Sequence, residues 1–198
     1  MDRIENRTFD EIKVGDTARL TRTLTPKDIE LFAIVSGDVN PAHVDAEFAR
    51  SDMFHKVIAH GMWGGALIST VLGTELPGPG TIYLNQSLSF RNPVALGDTV
   101  TVVVKVTDKT EKGHSIALDC LVTNQKGELV ISGKAEVVAP TEKVSRQRIV
   151  LPEVEFREKG RGYRRLIAMT QGMAPLRTAV VHPVDSNSLV GAVEAAHA

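Results

Sequence analysis

Residues 61–76 read as a helix that is apolar almost all the way round, with Met62, Trp63, Ala66, Leu67, Ile68, Val71 and Leu72 spread over its circumference. A helix of that kind is buried, so the rest of the chain has to supply a wall around it. Gly64 and Gly65 sit side by side within it. Glycine weakens a helix by roughly 1 kcal/mol relative to alanine, so the pair predicts close approach of another backbone. The segments that follow are suited to be the wall. Residues 81–90, 98–108, 115–124 and 128–138 read as strands, separated by the turn signals Asn92-Pro93, Lys112-Gly113 and Gln125-Lys126-Gly127. Residues 99–106 are rich in β-branched side chains, as a sheet strand should be. Short connections between successive strands favour antiparallel pairing. The pattern predicts an α+β domain over residues 1–140, one antiparallel sheet around one helix.

Upstream, residues 16–24 read as a further strand. Thr25-Pro26-Lys27-Asp28 then opens a helix, with Thr25 as N-cap, Pro26 at the first helical position and Asp28 in the first turn. Ile29, Phe32, Ala33 and Val35 give it a modest apolar stripe, and Ser36-Gly37 is a stop signal. A short helical turn is expected over residues 46–50. Between the two lies Gly37-Asp38-Val39-Asn40-Pro41-Ala42-His43, which sets an aspartate and a histidine five residues apart on a segment read as a stiffened loop. Pro41 fixes its own φ, and Asn40 bonds readily to its own backbone. A carboxylate and an imidazole held this way can share one water as acid and base; an Asx-turn with an incidental histidine is the alternative on local chemistry alone.

Composition narrows the field by exclusion. A formal net charge of -1 over 198 residues, with both signs mixed, gives no nucleic-acid or membrane footprint. The first ten residues are charged where a signal sequence would be apolar. Cys120 is the only cysteine, in phase with Ile116, Leu118 and Val122, which reads as core filling in a reducing, cytoplasmic setting. His55 and His60 lie five apart with no cysteine nearby, so no metal site is expected. Neither a phosphate-cradling Gly-x-x-x-x-Gly-Lys loop nor a Gly-x-Gly-x-x-Gly after a strand is present.

The run from Phe32-Ala33-Ile34-Val35-Ser36 through Gly37-Asp38-Val39-Asn40-Pro41-Ala42-His43 continues in three further blocks. These are Ile58-Ala59-His60-Gly61-Met62, then Leu76-Pro77-Gly78-Pro79-Gly80-Thr81-Ile82-Tyr83, then Ser87-Leu88-Ser89-Phe90. Together they resemble the signature of the MaoC-like, or (R)-specific enoyl-CoA hydratase, family of the hot-dog fold, over roughly residues 8–140. The resemblance implies a sheet wrapped around a long central helix, and a homodimer whose sheets pair edge to edge with the acyl-CoA tunnel near the interface. It implies reversible addition of water to a trans-2-enoyl-CoA, giving a (R)-3-hydroxyacyl-CoA. No cofactor is needed beyond the CoA carried by the substrate, and the acyl chain is read as short.

On that reading Asp38 and His43 share the two proton transfers, with the assignment of each proton left open. The backbone N–H of Gly61, at the start of the buried helix, is the candidate for stabilising charge on the thioester oxygen. Ser69, eight residues further on, matches by position a family serine that supports the pair; alternatively it bonds its own backbone. Asn40 holds the loop or touches substrate. Arg91, with Asn92, meets the CoA phosphates or is simply solvated. His60 is read as shaping the start of the helix, and Trp63 as shortening the acyl pocket. A thioesterase on the same fold and a non-catalytic acyl-CoA-binding module are the competing functions. The first usually places an acidic residue on the central helix, where none stands between Gly61 and Thr74; the second needs neither Asp38 nor His43.

Beyond residue 140 the character changes. Residues 141–175 mix prolines and charges and read as a solvated linker. Residues 176–198, with Val180-Val181-His182-Pro183-Val184-Asp185 at their centre, resemble the first strand and helix of a phosphate acetyl- or butyryltransferase domain, here a truncated start. A C-terminal extension docked on the first domain is the alternative.

Overall fold

The computed structural model describes residues 3–156, 160–174 and 185–197, and the chain divides into two compact units, Met1–Val150 and Leu151–Ala198. In the first unit five strands form one antiparallel sheet: β2 (Thr17–Thr23), β3 (Ile82–Phe90), β4 (Thr99–Thr110), β5 (Ser115–Asn124) and β6 (Leu129–Val138). Their order is β2-β4-β5-β6-β3. Every second residue of β4 and β5 is buried, so Val100, Val102, Val104 and Val106 line up with Ile116, Leu118, Cys120 and Val122 on one face. Against that face lies α4 (Gly61–Thr74), which adds Trp63, Leu67, Ile68, Val71 and Leu72 to the same core. A long helix cupped by a curved antiparallel sheet is the hot-dog arrangement, and its strands fall within a residue or two of where the periodicity puts them.

Two details differ from the sequence reading. The helix α4 is not enclosed on every side: Met62 is 55% exposed, and Ala66, Ser69, Thr70 and Gly73 are exposed with it. Gly64 and Gly65 also make room for side chains and not for backbone. A Cβ on Gly64 would stand 2.4 Å from Ile131 Cδ1, and one on Gly65 would stand 3.2 Å from Leu88 Cδ1. The backbone approach is elsewhere, at Gly133 on β6, where a Cβ would fall 1.9 Å from the Ser87 carbonyl oxygen of β3. Gly133→Ala therefore forces these strands apart, and chemical denaturation is expected to show a loss of about 3 kcal/mol.

The helix α1 (Pro26–Ser36) forms as its sequence signals predict. Thr25 and Asp28 make a reciprocal capping box, and Gly37 closes the helix at φ 75° in the left-handed region. Burial alone would raise the pKa of the Asp28 carboxyl, but hydrogen bonds from Thr25 and Arg22 outweigh it and hold the group below the usual carboxylate range. Ile29, Ala33 and part of Phe32 face the core, whereas Val35 is exposed and outside the stripe. The first unit also runs past residue 140. β7 (Ser145–Gln147) pairs antiparallel with β1 (Arg3–Glu5), two short strands the sequence reading left out. The buried Asn6 side chain fixes that junction, donating to the Pro79 and Glu142 carbonyls and accepting from Val144 N–H.

In the second unit, α5 (Arg161–Thr170) occupies part of the expected linker. Tyr163, Leu166, Ile167 and Thr170 recur at helical spacing among its arginines, a stripe that charge obscures. The helix expected after residue 185 is present as α6 (Ser186–His197). The strand expected over residues 177–184 lies outside the described residues. Among the described residues, no helix is long and apolar enough to cross a membrane.

Candidate active site

The segment after α1 is built by short-range bonds. Asp38 N–H donates to Ser36 Oγ, and the Asp38 carboxylate accepts from Asn40 N–H at 3.2 Å. Asn40 then caps a one-turn helix, α2 (Pro41–Val44), by accepting from Ala42 N–H at 3.1 Å, with Pro41 at the first helical position. His43 therefore stands on a helical turn and not on a loop: Asn-Pro, read as a turn, is here the cap and first residue of a helix. Asp45 caps the next helix, α3 (Ala46–Ser51). The chain returns through residues 52–60 and is pinned to the strand side, with Ala59 N–H donating to the Val94 carbonyl at 2.8 Å.

This return places the backbone that orients His43. His43 Nδ1 lies 2.9 Å from the Ile58 carbonyl oxygen. A carbonyl can only accept, so Nδ1 carries the proton and Nε2 keeps a free lone pair. His60, 2% exposed, lies directly behind, its ring centroid 4.1 Å from that of His43. One donor atom each of Asp38, His43 and His60 falls within 4.8 Å of the others. Two groups at that separation can hold one water between ordinary hydrogen bonds. His60 lies near His55 in sequence, but the fold brings it to Asp38 and His43 instead. Carboxylate plus two imidazoles is a donor set metals accept, yet two nitrogens here are committed to backbone carbonyls, Ile58 and Asp38.

Beside the pair opens a cavity of about 270 Å³. It is lined by the polar or backbone-exposing His43, His60, Gly61, Arg91 and Asn92 and by the apolar Trp63, Val100, Val122 and Ile131. Gly61 is the first residue of α4, so its N–H has no acceptor inside the helix and lies at the positive end of the dipole. Phe90 closes one side: a Cβ on Gly61 would stand 3.2 Å from its ring. A polar pair, a backbone N–H at a helix start and an apolar pocket thus lie close together.

Arg91 also lines the cavity and is exposed. Ser69 does not join the pair within the chain. Eight residues at 100° each leave it about 80° round the helix from Gly61, on the exposed face, and no hydrogen bond links it to Asp38 or His43. Phe54, from the segment after α3, also lines the cavity and has no signal in the sequence that separates it from an ordinary turn residue. Cys120 is buried in the core, and burial pushes its thiol up to about 11, so it remains protonated and no nucleophile.

Residues 10–126 match the family model described as MaoC like domain. The (R)-specific enoyl-CoA hydratase of Rhodospirillum rubrum is 48% identical over 134 residues, 67% of this chain and 91% of that protein. The solved structure of the R-hydratase PhaJ1 from Pseudomonas aeruginosa, unliganded, superposes with a TM-score of 0.76 at 44% identity, covering 79% of this chain and 100% of that one. A separate likeness, 39% over 46 residues, joins the chain to a phosphate acetyltransferase of Rickettsia typhi, covering 23% of this chain and 13% of that protein.

Proposed function

The chain belongs to the MaoC-like domain family, and from that premise we propose that it is an (R)-specific enoyl-CoA hydratase for short acyl chains. The observation that carries the reading is the approach of Asp38 and His43 beside a largely apolar cavity that Gly61 helps to line. Water held between the carboxylate and His43 Nε2 presents one proton to each. As its oxygen attacks C3, one water proton passes to the pair and the other stays on the new hydroxyl, while the pair delivers one proton to C2, so no proton is gained or lost overall. The charge that builds on the thioester oxygen meets the Gly61 N–H and the dipole of α4. Asn40 supports this by capping α2, and Arg91 faces the CoA phosphates. The reaction needs no cofactor beyond the CoA carried by the substrate.

Hydrolysis is the less favoured chemistry because α4 carries no acidic side chain. The two are separated by incubating the protein with crotonyl-CoA and following the enoyl-thioester absorbance and free thiol together. Hydration removes the absorbance without releasing thiol; thiol release would establish a thioesterase instead, and neither change would favour a binding module.

The short-chain reading is supported by the residues that line the cavity. Trp63, buried in the wall, is the largest side chain limiting it. Trp63→Leu is expected to raise kcat/KM for octenoyl-CoA relative to crotonyl-CoA at least 10-fold, within the range one or two methylenes are worth; an unchanged ratio removes Trp63 from that role.

The exposed apolar residues Ile82, Tyr83, Leu84 and Phe90 on the edge strand β3 support a homodimer joined along that edge. A single buried thiol suits a cytoplasmic setting. For the second unit the 46-residue likeness supports a phosphate acyltransferase-like segment, from which by itself no acyl transfer is expected.

A further inference from the structure

We propose that His60 is a positioning residue for hydration, setting Asp38 and His43 relative to one another as well as starting α4. The inference rests on the reading of Asp38 and His43 as the reacting pair. Its first support is the bond from His60 Nε2 to the Asp38 carbonyl oxygen, 2.9 Å long. That oxygen can only accept, so Nε2 carries the proton and the imidazole acts as a tether on the Asp38 peptide. The remaining bonds of Asp38 run to Ser36 and Asn40, its own near neighbours. His60 is the one that ties this segment to an element 22 residues away.

The second support is packing. The His60 ring lies between Phe32 of α1, 5.0 Å away, and His43, 4.1 Å away, both tilted by less than 40°. The bond to the Ile58 carbonyl orients the His43 ring, and the His60 ring packs beside it. The third is the unpaired Nδ1 of His60, buried without a hydrogen-bond partner among the described residues and not used as a cap for α4. Here the ring is turned so that its donor reaches Asp38 instead, and an unsatisfied buried atom calls for such an explanation.

The consequence is that one side chain fixes three parts of the site. It holds the Asp38 backbone, it supports the His43 ring, and it immediately precedes Gly61. Misplacing a reacting group by about 1 Å can cost on the order of 10²-fold in rate, so loss of the tether should appear in kcat more than in substrate binding.

Two variants dissect the role. His60→Phe keeps the ring and its stacking but removes the donor; His60→Gln removes the ring but keeps an amide N–H at comparable reach. With crotonyl-CoA, His60→Phe is expected to lower kcat by about 10–100-fold with KM within about threefold, and His60→Gln to stay within about fivefold of wild type. Thermal unfolding of each variant checks that it is folded. If His60→Phe does not fold, His60→Met, which also lacks the donor, replaces it in the comparison with His60→Gln. A folded variant without the donor that turns over like wild type overturns the proposal, as does a His60→Gln as slow as it. Either result leaves the hydratase reading standing, provided wild type hydrates crotonyl-CoA; a wild type that does not would remove that reading first.

Discussion

Asp38→Asn is expected to lower kcat for crotonyl-CoA hydration about 10³-fold with little change in KM, and His43→Gln to do the same. Asparagine preserves the shape of the side chain and can still accept from Asn40 N–H, the bond that holds Asp38 in its loop. What changes is chemistry: one oxygen that accepts a proton becomes an amide that cannot. Glutamine at 43 is of similar size and polar, but it has no basic nitrogen to replace Nε2. Because the two groups hold one water, removing either disables both, and the double variant should be little slower than each single one. Steady-state loss of the enoyl absorbance measures all three; multiplied effects in the double variant would mean that the groups act independently.

The second large effect is expected at Gly61. Its role depends on a backbone N–H, which most substitutions leave in place. Proline is the exception, and the local geometry admits it. Gly61 is the first helical residue, where proline is well tolerated, and His60 has φ -56° and ψ 134°, the extended conformation that a residue preceding proline adopts. Gly61→Pro should therefore keep the helix while removing the donor, with kcat falling about 10²–10³-fold. Gly61→Ala is the control. It keeps the N–H but places a Cβ 3.2 Å from the Phe90 ring, which should raise KM and cost about 10-fold in kcat/KM. The gap in kcat between the two variants isolates the donor, and equal values would place stabilisation of the oxyanion elsewhere.

How much of this was legible in the sequence follows from the range of the interactions. The strands of the sheet and the helix α4 announce themselves through alternation, β-branched runs and a continuous apolar surface, all local patterns. The cap of α1 is equally local, since Thr25 and Asp28 lie three residues apart. By contrast, β1 and β7 are three residues each and pair Arg3 with Gln147, a register no local pattern specifies. Asn40-Pro41 was legible as punctuation, but whether it ends in a turn or opens a helix depends on the Ile58 backbone arriving beside it. The same is true of His60. Its neighbour Gly61 is visible as a helix start, while the bond to Asp38 exists only once residues 52–60 have folded back. For Ser69 the spacing is near two turns, and the remaining offset of about 80° from Gly61 leaves it on an exposed face of α4 within the chain.

The most direct test of the whole account is the configuration of the product formed from crotonyl-CoA by the unmodified protein, read by chiral analysis beside an Asp38→Asn sample. The account predicts (R)-3-hydroxybutyryl-CoA from wild type and almost no product from the variant. The (S) product, or a variant that hydrates as fast as wild type, would contradict it.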